Sequence, residues 1–352
     1  MAQPSSKKIQ LNADISNVYK HLSHRKWWWV IATLLITIVL IILNLCVGST
    51  NLGPIEIFIN AISDPSSQES LVLFELRLPH VLCSLIAGAI LGICGCVLQS
   101  SLGNPLAAPS TIGVSQGASC GACIAIVCFS GMVAGSSVVI VICAFIFALI
   151  PTLLIFAISK FKNFSATTII LSGIAMAIFF GGVVALIEYF ADSSKIAEVV
   201  FWTFGSVRDA SFTELGLMAI MLLIICIYSW VNSMNFNAME CGDVTAHSVG
   251  LNVKSSRLRH LLVAAIASAT VTAFCGTINF IGLIAPHIMR RFVGSNYKFL
   301  VPTSALCGAC ILSLSDIASA ILMPGVILPI GAITSFIGAP IFIWILLKRK
   351  PN

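Results

Sequence analysis

Residues 76–122 read LRLPHVLCSLIAGAILGICGCVLQSSLGNPLAAPSTIGVSQGASCGA, and the fold turns on how this stretch is understood. It is apolar enough to live in a membrane, yet an Asn-Pro and a second Pro interrupt it and glycines punctuate it. A solitary lipid-spanning helix needs no such punctuation. Helices packed backbone to backbone do, because lipid cannot satisfy freed N–H and C=O groups and only a neighbouring helix or a water-lined cavity can. The expectation is two short helices folded around a loop at 101–109, the core of a transport pathway.

Composition widens this to the whole chain. Of its 352 residues 58% are apolar and only 9% charged, with mean hydropathy +1.04. Soluble domains carry about 25% charged residues, which excludes a soluble fold. Segments of ~10 residues with alternating polarity, the mark of a membrane β-barrel, are not visible. At about 20 residues per span the length accommodates about ten spans. The fold class is therefore an all-α polytopic membrane protein with some helices short or broken.

A polar segment, 1–26, carries Lys7, Lys8, Lys20, Arg25 and Lys26 and leads into Trp27–Trp29, an interfacial aromatic belt. The first span, 27–47, is too long for a signal-peptide core and lacks a cleavage site after it, so it is expected to remain. Further spans are predicted at 78–99, 111–129, 137–159, 165–190, 212–231, 261–278, 280–292, 301–322 and 330–347. Between them lie a polar segment at 48–75, a surface half-helix within 192–209, a turn at 324–329 and a long polar interruption at 232–260; a short tail, 348–352, follows. With both termini cytoplasmic, sixteen of the nineteen Lys and Arg fall inside, leaving Arg77, Lys195 and Arg208 outside. This bias satisfies the positive-inside rule. It also explains the net charge of +6 without invoking nucleic acid.

Few residues offer chemistry. Asp316 lies within a span, where a charge costs roughly 2.5–3.5 kcal/mol and must face protein or water. It is either a pathway or helix-docking carboxylate, or a hydrogen-bonded structural Asp among Ser313, Ser315 and Ser319. Glu188 falls near the outer end of its span, in reach of solvent. His287 after Pro286 has no His or carboxylate three or four residues away, which favours packing or capping at a helix break over metal ligation. Thirteen cysteines sit mostly in apolar runs, where Cys is a small hydrophobe. The two C-G-A-C tetrads, 120–123 and 307–310, read as small-residue helix contacts, with metal or redox chemistry as the rival. The 232–260 interruption is a solvated loop or carries a short amphipathic helix at 243–249. Neither a metalloprotease motif, a nucleophile elbow nor a Walker A loop is present, so an intrinsic hydrolase or ATPase lacks its parts, and if ATP drives transport another chain must bind it.

From about residue 71 to 347 the sequence resembles the permease family of ABC importers for iron–siderophore chelates, haem and cobalamin. The carriers are R-L-P at 77–79, G-A-x-L-G-x-x-G at 88–95, Gln99, and N-P-L-A-x-P from Asn104 and Pro105 to Pro109. They continue with 249–253, G-x-I-x-F-I-G-L-I-x-P-H-I-x-R at 276–290 and L-P-I-G-x-I-T-x-x-I-G-A-P at 328–340. Each motif alone is weak; their order and spacing together are specific.

The resemblance implies ten helices, a permease homodimer, two cytoplasmic ATP-binding subunits that hold ATP and Mg, and an extracytoplasmic binding protein, all in a bacterial inner membrane. This chain itself would bind no cofactor or metal. Residues 27–347 would form the permease domain, with its pathway lined by the fifth and tenth helices. Glu240, Gly242, Asp243, Ala246, Gly250 and Leu251 would belong to the loop that couples to the ATPase. Pro286, His287, Asp316, Pro329, Gly331, Thr334, Gly338 and Pro340 would pack the pathway. Arg77 and His80 would dock the binding protein, the family's usual R-L-P-R having His80 in place of its second Arg. Two more outer charges are replaced, by Ala320 and Ile327, so docking should lean more on shape. An iron chelate is the expected cargo and cobalamin the alternative; a membrane redox protein using the C-G-A-C pairs is a remote one.

Overall fold

The computed structural model describes residues 6–47, 67–129, 136–159, 165–323 and 328–347. Most of the polar segment 48–75, Lys160 and Lys162, Ile327 and the tail 348–352 lie outside the described residues.

All regular structure among the described residues is helical: α1 Ser6–Cys46, α2 Leu78–Leu102, α3 Val114–Ile124, α4 Ser136–Ser159, α5 Ala166–Phe190, α6 Ser193–Phe204 and α7 Phe212–Val231. Then follow α8 Ser233–Glu240, α9 Asp243–Ser248, α10 Val253–Cys275, α11 Ile281–Val293, α12 Tyr297–Ile321 and α13 Ile330–Leu347. A π-helical segment, Val72–Arg77, runs straight into α2, and another, Ala125–Phe129, extends α3. Seven helices (α1, α2, α4, α5, α7, α10 and α12) are long and apolar enough to cross a membrane; the helical runs of α3 and α13 are apolar but shorter. All ten predicted spans fall on helices.

Four details differ from the sequence reading. Helix α2 is not short: with its π segment it forms an unbroken 31-residue apolar helix ending at Leu102. It stops there because Gly103 takes a left-handed conformation (φ 53°) and its N–H closes back on the Gln99 and Ser100 carbonyls. Helix α1 begins at Ser6, twenty-one residues before the expected start. Helix α10 begins at Val253, capped by Asn252, whose side chain accepts from Ser255 N–H at 3.1 Å. Finally, the 232–260 interruption is mostly helical, forming α8, α9 and the first turns of α10.

The core is the antiparallel pair α2 and α12, with α1, α10 and α11 packed around it. Backbones touch at their crossing: a Cβ on Gly88 would stand 2.4 Å from the Gly308 carbonyl oxygen, and one on Gly308 2.2 Å from that of Gly88. Two turns along α2, a Cβ on Gly95 would fall 1.7 Å from the Gly282 carbonyl of α11. The glycine spacing of residues 88–95 thus encodes close helix approach, where dispersion and backbone contact replace a hydrophobic drive that lipid cannot supply. Helices α4, α5 and α7 instead turn bulky apolar side chains outward, among them Ile146, Leu171, Ile178 and Ile220. Such an outward apolar face suits lipid or an adjoining subunit.

Candidate functional site

Each end of the α2–α12 pair carries a polar cluster. The rise of 1.5 Å per residue puts His80 and Gln99 of α2 about 28 Å apart, and Tyr297 and Asp316 of α12 similarly.

At the Gln99 end, α8 and α9 stand on the core through two arginines. Arg290 of α11 pairs with Glu240, the last residue of α8. It also donates to Gln99 Oε1 at 3.3 Å and to the Tyr297 hydroxyl at 3.2 Å. Tyr297 in turn donates to Glu240 Oε2 at 2.8 Å, and Gln99 Nε2 to the Leu283 carbonyl at 3.2 Å. Arg257 of α10 donates from Nη2 to Asp243 Oδ1 and from Nε to the Ser101 carbonyl, both at 2.6 Å. Ser100 adds a bond to the Phe236 carbonyl at 2.9 Å. Of the residues expected in this segment, Glu240 and Asp243 make these links and Ala246 is fully buried. Gly242 caps α9, and Leu251 N–H returns to the Ala246 carbonyl at 3.0 Å, just after Gly250. Val244 and Val249 are exposed (85% and 69%), a protruding apolar surface beside Asp243.

At the other end Asp316 is wholly buried and shared between elements. Asn44 of α1 donates to its Oδ2 at 2.8 Å and Arg208, between α6 and α7, to its Oδ1 at 3.2 Å. His80 Nε2 lies 3.5 Å from Oδ2. Asp316 is thus an inter-helix ion cluster; of the serines near it, Ser319 Oγ donates to its backbone carbonyl at 2.9 Å. Arg77 is buried and donates to the Leu45 carbonyl at 2.8 Å, at the end of α1, where the helix dipole favours a cation. Both Arg77 and His80 point into the protein.

The motif prolines and glycines shape the segments between these ends. Asn104 Oδ1 accepts from Leu106 N–H at 2.9 Å, folding the turn through Pro105, and Pro109 opens the 3-10 turn Pro109–Ile112 ahead of α3. Pro286 is buried inside α11, beside a half-buried His287, and Pro340 lies inside α13. The first turn of α13 closes through Ile333 N–H to the Pro329 carbonyl at 3.2 Å and Thr334 Oγ1 to the Gly331 carbonyl at 3.1 Å. Gly331 meets the end of α6, since its Cβ would lie 2.4 Å from the Phe204 carbonyl. Gly338 gives room to the ring of Phe280, which holds a left-handed backbone (φ 66°) at the start of α11. The C-G-A-C tetrads lie at helix crossings, Gly308 against Gly88 and Gly121 against the Cys143 carbonyl of α4. Among the described residues no three His, Cys, Asp or Glu are grouped to hold a metal.

Residues 36–348 match the model of the FecCD transport family. The chain belongs to this family. A chain of Methanocaldococcus jannaschii bearing the name of an ABC transporter permease is 38% identical over 344 residues, 95% of this chain and 98% of that one. The hemin transport system permease of Yersinia pestis is 30% identical, covering 89% and 95%. A vitamin B12 import system permease of Vibrio vulnificus is 34% identical, covering 83% and 88%. Among solved structures, an inward-facing metal-chelate type ABC transporter superimposes with TM-score 0.79 at 27% identity, over 92% of this chain and all of that one. The permease is a transport subunit rather than an enzyme; ATP hydrolysis belongs to separate subunits.

Within this permease, sequence reasoning singled out Gln99, Glu240, Asp243 and Asp316, and the fold sets the first three in two arginine-centred clusters at one end of α2, Gln99 and Glu240 on Arg290 and Asp243 on Arg257. It missed Arg257, Arg290 and Tyr297, which make the joints. The two arginines were read as charges obeying the positive-inside rule, and Arg290 also as the last residue of the 276–290 motif, with no pairing role for either. Their recurrence one turn inside helix ends, opposite acidic residues in α8 and α9, was the available signal.

Proposed function

We propose that this membrane permease subunit of an ABC importer moves an iron chelate, a ferric siderophore or haem, handed over by an extracytoplasmic binding protein. Two copies form the pathway in a bacterial inner membrane, with residues 27–347 as the permease domain and both termini cytoplasmic. Two ATPases, holding ATP and Mg, engage the protruding face of α8 and α9. The observation that carries this reading is the double anchorage of those helices on the end of α2, through Arg290–Glu240 and Arg257–Asp243. Short helices pinned to a long buried one can pass a push from outside the membrane to its far end. There Asp316 ties α1, α2 and the α6–α7 link together. The binding protein would dock at that end, with Arg77 and His80 shaping the surface from beneath. Cobalamin is an equally supported cargo, since relatives named for hemin and for vitamin B12 match similarly well.

The test is purification from native membranes in mild detergent, followed by uptake in proteoliposomes. Equal amounts of permease and an ATP-binding subunit, with ATP-dependent uptake of a ferric chelate, are expected. Uptake of cobalamin alone would establish the second cargo. An intact dimer without an ATPase would overturn the reading.

A further inference from the structure

Helices α4 and α7 both pack on α10 but barely on each other, and the gap between them is a groove of about 710 Å³. Two small buried residues of α10, Thr270 and Ala273, set its floor, and exposed Val138, Ile142, Leu217 and Ile220 form its rims. The Thr270 hydroxyl donates to the Ile266 carbonyl at 2.9 Å, so the floor asks only apolar contact of a ligand. Along α7 the lining runs from Ser211 to Met221, about 15 Å of helix axis. That is half of the ~30 Å hydrocarbon core, the depth of one leaflet.

The groove is apolar except at its mouth, where α7 begins and half-buried Glu214 stands. Ser211 and Glu214 form a capping box: Ser211 N–H donates to Glu214 Oε2 at 2.8 Å, and Glu214 N–H to Ser211 Oγ at 3.4 Å. The box occupies one carboxylate oxygen and supplies no cation. Among the described residues no Lys, Arg or His pairs with Glu214, and Arg208, six residues earlier, is turned to Asp316. The full charge of Glu214 outweighs the partial positive charge of the α7 N-terminus, so the mouth is net negative. A ligand that complements the whole groove joins a hydrocarbon chain about one leaflet long to a cationic hydrogen-bond donor.

We propose that this groove is a lipid site, holding one acyl chain of a phospholipid with a primary-amine headgroup whose ammonium donates to Glu214. The chain fills the gap between α4 and α7 and braces both against α10. Depth and charge favour a lipid over a second copy of the permease. The groove ends one leaflet in, as a lipid chain does, whereas a membrane-spanning helix runs the full thickness. A lipid with an anionic headgroup sets its charge against Glu214 and fits less well. The inference needs only the membrane setting and holds whichever chelate is carried.

The experiment uses the complete transporter in mild detergent, offered phosphatidylethanolamine and phosphatidylglycerol of the same chain length at equal concentration. Native mass spectrometry counts the retained lipid. The wild type should retain phosphatidylethanolamine about tenfold over phosphatidylglycerol, the scale of one hydrogen bond to a charged group. Glu214→Gln keeps the capping box, since Gln serves there as Glu does, and should bring the two lipids within about twofold. Ala273→Leu raises the groove floor and should lower retention of both severalfold. Equal retention by the wild type overturns the inference, as does a preference that survives Glu214→Gln or retention unchanged by Ala273→Leu. A measurement on the wild type guards against variants that misfold. Phosphatidylethanolamine with a diazirine at mid-chain is irradiated, loses N2 and inserts its carbene into neighbouring C–H bonds. Label is expected on α4 from Val138 to Phe145 and on α7 from Leu217 to Met221, severalfold above exposed Val39 and Ile42 of α1. Even labelling of the three helices overturns the inference. Labelling that spares α4 and α7 also overturns it and makes the groove a contact between subunits.

Discussion

Arg257 donates to the carboxylate of Asp243 at 2.6 Å while its own side chain is almost wholly buried, 4% exposed against 57% for Asp243. The pair therefore has a dry half and a wet half. Solvent screens the charge attraction at Asp243, which leaves it worth about 0–1 kcal/mol. The buried Nε bond to the Ser101 carbonyl is the costlier one to lose, about 1–3 kcal/mol for a stranded polar group. Asp243→Asn should leave the melting temperature in detergent within a degree or two, whereas Arg257→Met should lower it clearly. In ATP-driven uptake both should lose rate, since both uncouple α9 from α2. Equal melting shifts would refute this division.

Asp316 sits at the opposite end under different physics. It is fully buried and held by Arg208, Asn44 and His80. Asp316→Asn keeps the shape but strands the guanidinium of Arg208, whose Nε already lacks a partner among the described residues. Breaking one side of a buried pair costs about 3–5 kcal/mol, while replacing both sides costs much less. Asp316→Asn alone should therefore destabilise strongly, and Asp316→Asn with Arg208→Gln should recover part of the loss. A double-mutant cycle by thermal denaturation measures this, and additive effects would remove Arg208 from the cluster.

The glycines give the sharpest contrast. A methyl on Gly88 would meet the Gly308 carbonyl at 2.4 Å, whereas nothing lies within 4 Å of one on Gly181. Overpacking costs about 1–3 kcal/mol, and an open helical Gly→Ala gains about 0.5–1 kcal/mol. Gly88→Ala should lower the yield of folded permease and its melting temperature, and Gly181→Ala should leave both equal or raised. Tolerance of Gly88→Ala at full stability would mean that α2 and α12 are not in backbone contact.

What could be read in advance follows from the range of each interaction. The α2 glycine spacing and the Asn104–Pro109 break are local, so their sense was visible in the string itself. Asp316 was visible as an anomaly, but its partners were not, because Asn44 is 272 residues away in the chain and Arg208 is 108. Helix α8 was hidden for another reason: its eight residues, SMNFNAME, are half polar, and it is held by Phe236 and Met239 buried against other helices rather than by any periodic pattern. Helix α9, with Val244, Ala246 and Val249 in its vicinity, was visible as an amphipathic possibility. The reach of α1 back to Ser6 was masked by the polar composition of that stretch.

The tetrads allow the redox alternative to be tested directly. If Cys307 and Cys310 serve packing, what matters is their size beside Gly308, and Cys310 Sγ contacts the Thr37 hydroxyl at 3.2 Å as a minor polar contact. Cys120 and Cys123 flank Gly121 in the same way on α3, against α4. Alanine preserves a small apolar surface, so each Cys→Ala change removes one sulfur and little else, at a cost of about 1 kcal/mol. The four-fold Cys→Ala permease should assemble with its ATPases and keep at least about half of its uptake rate, because a loss confined to stability does not enter the rate of the folded fraction. A redox role makes the opposite demand: removing either pair would abolish activity in protein that is still assembled. Uptake normalised to assembled transporter separates the two, and a near-complete loss there would return the thiols to the centre of the mechanism.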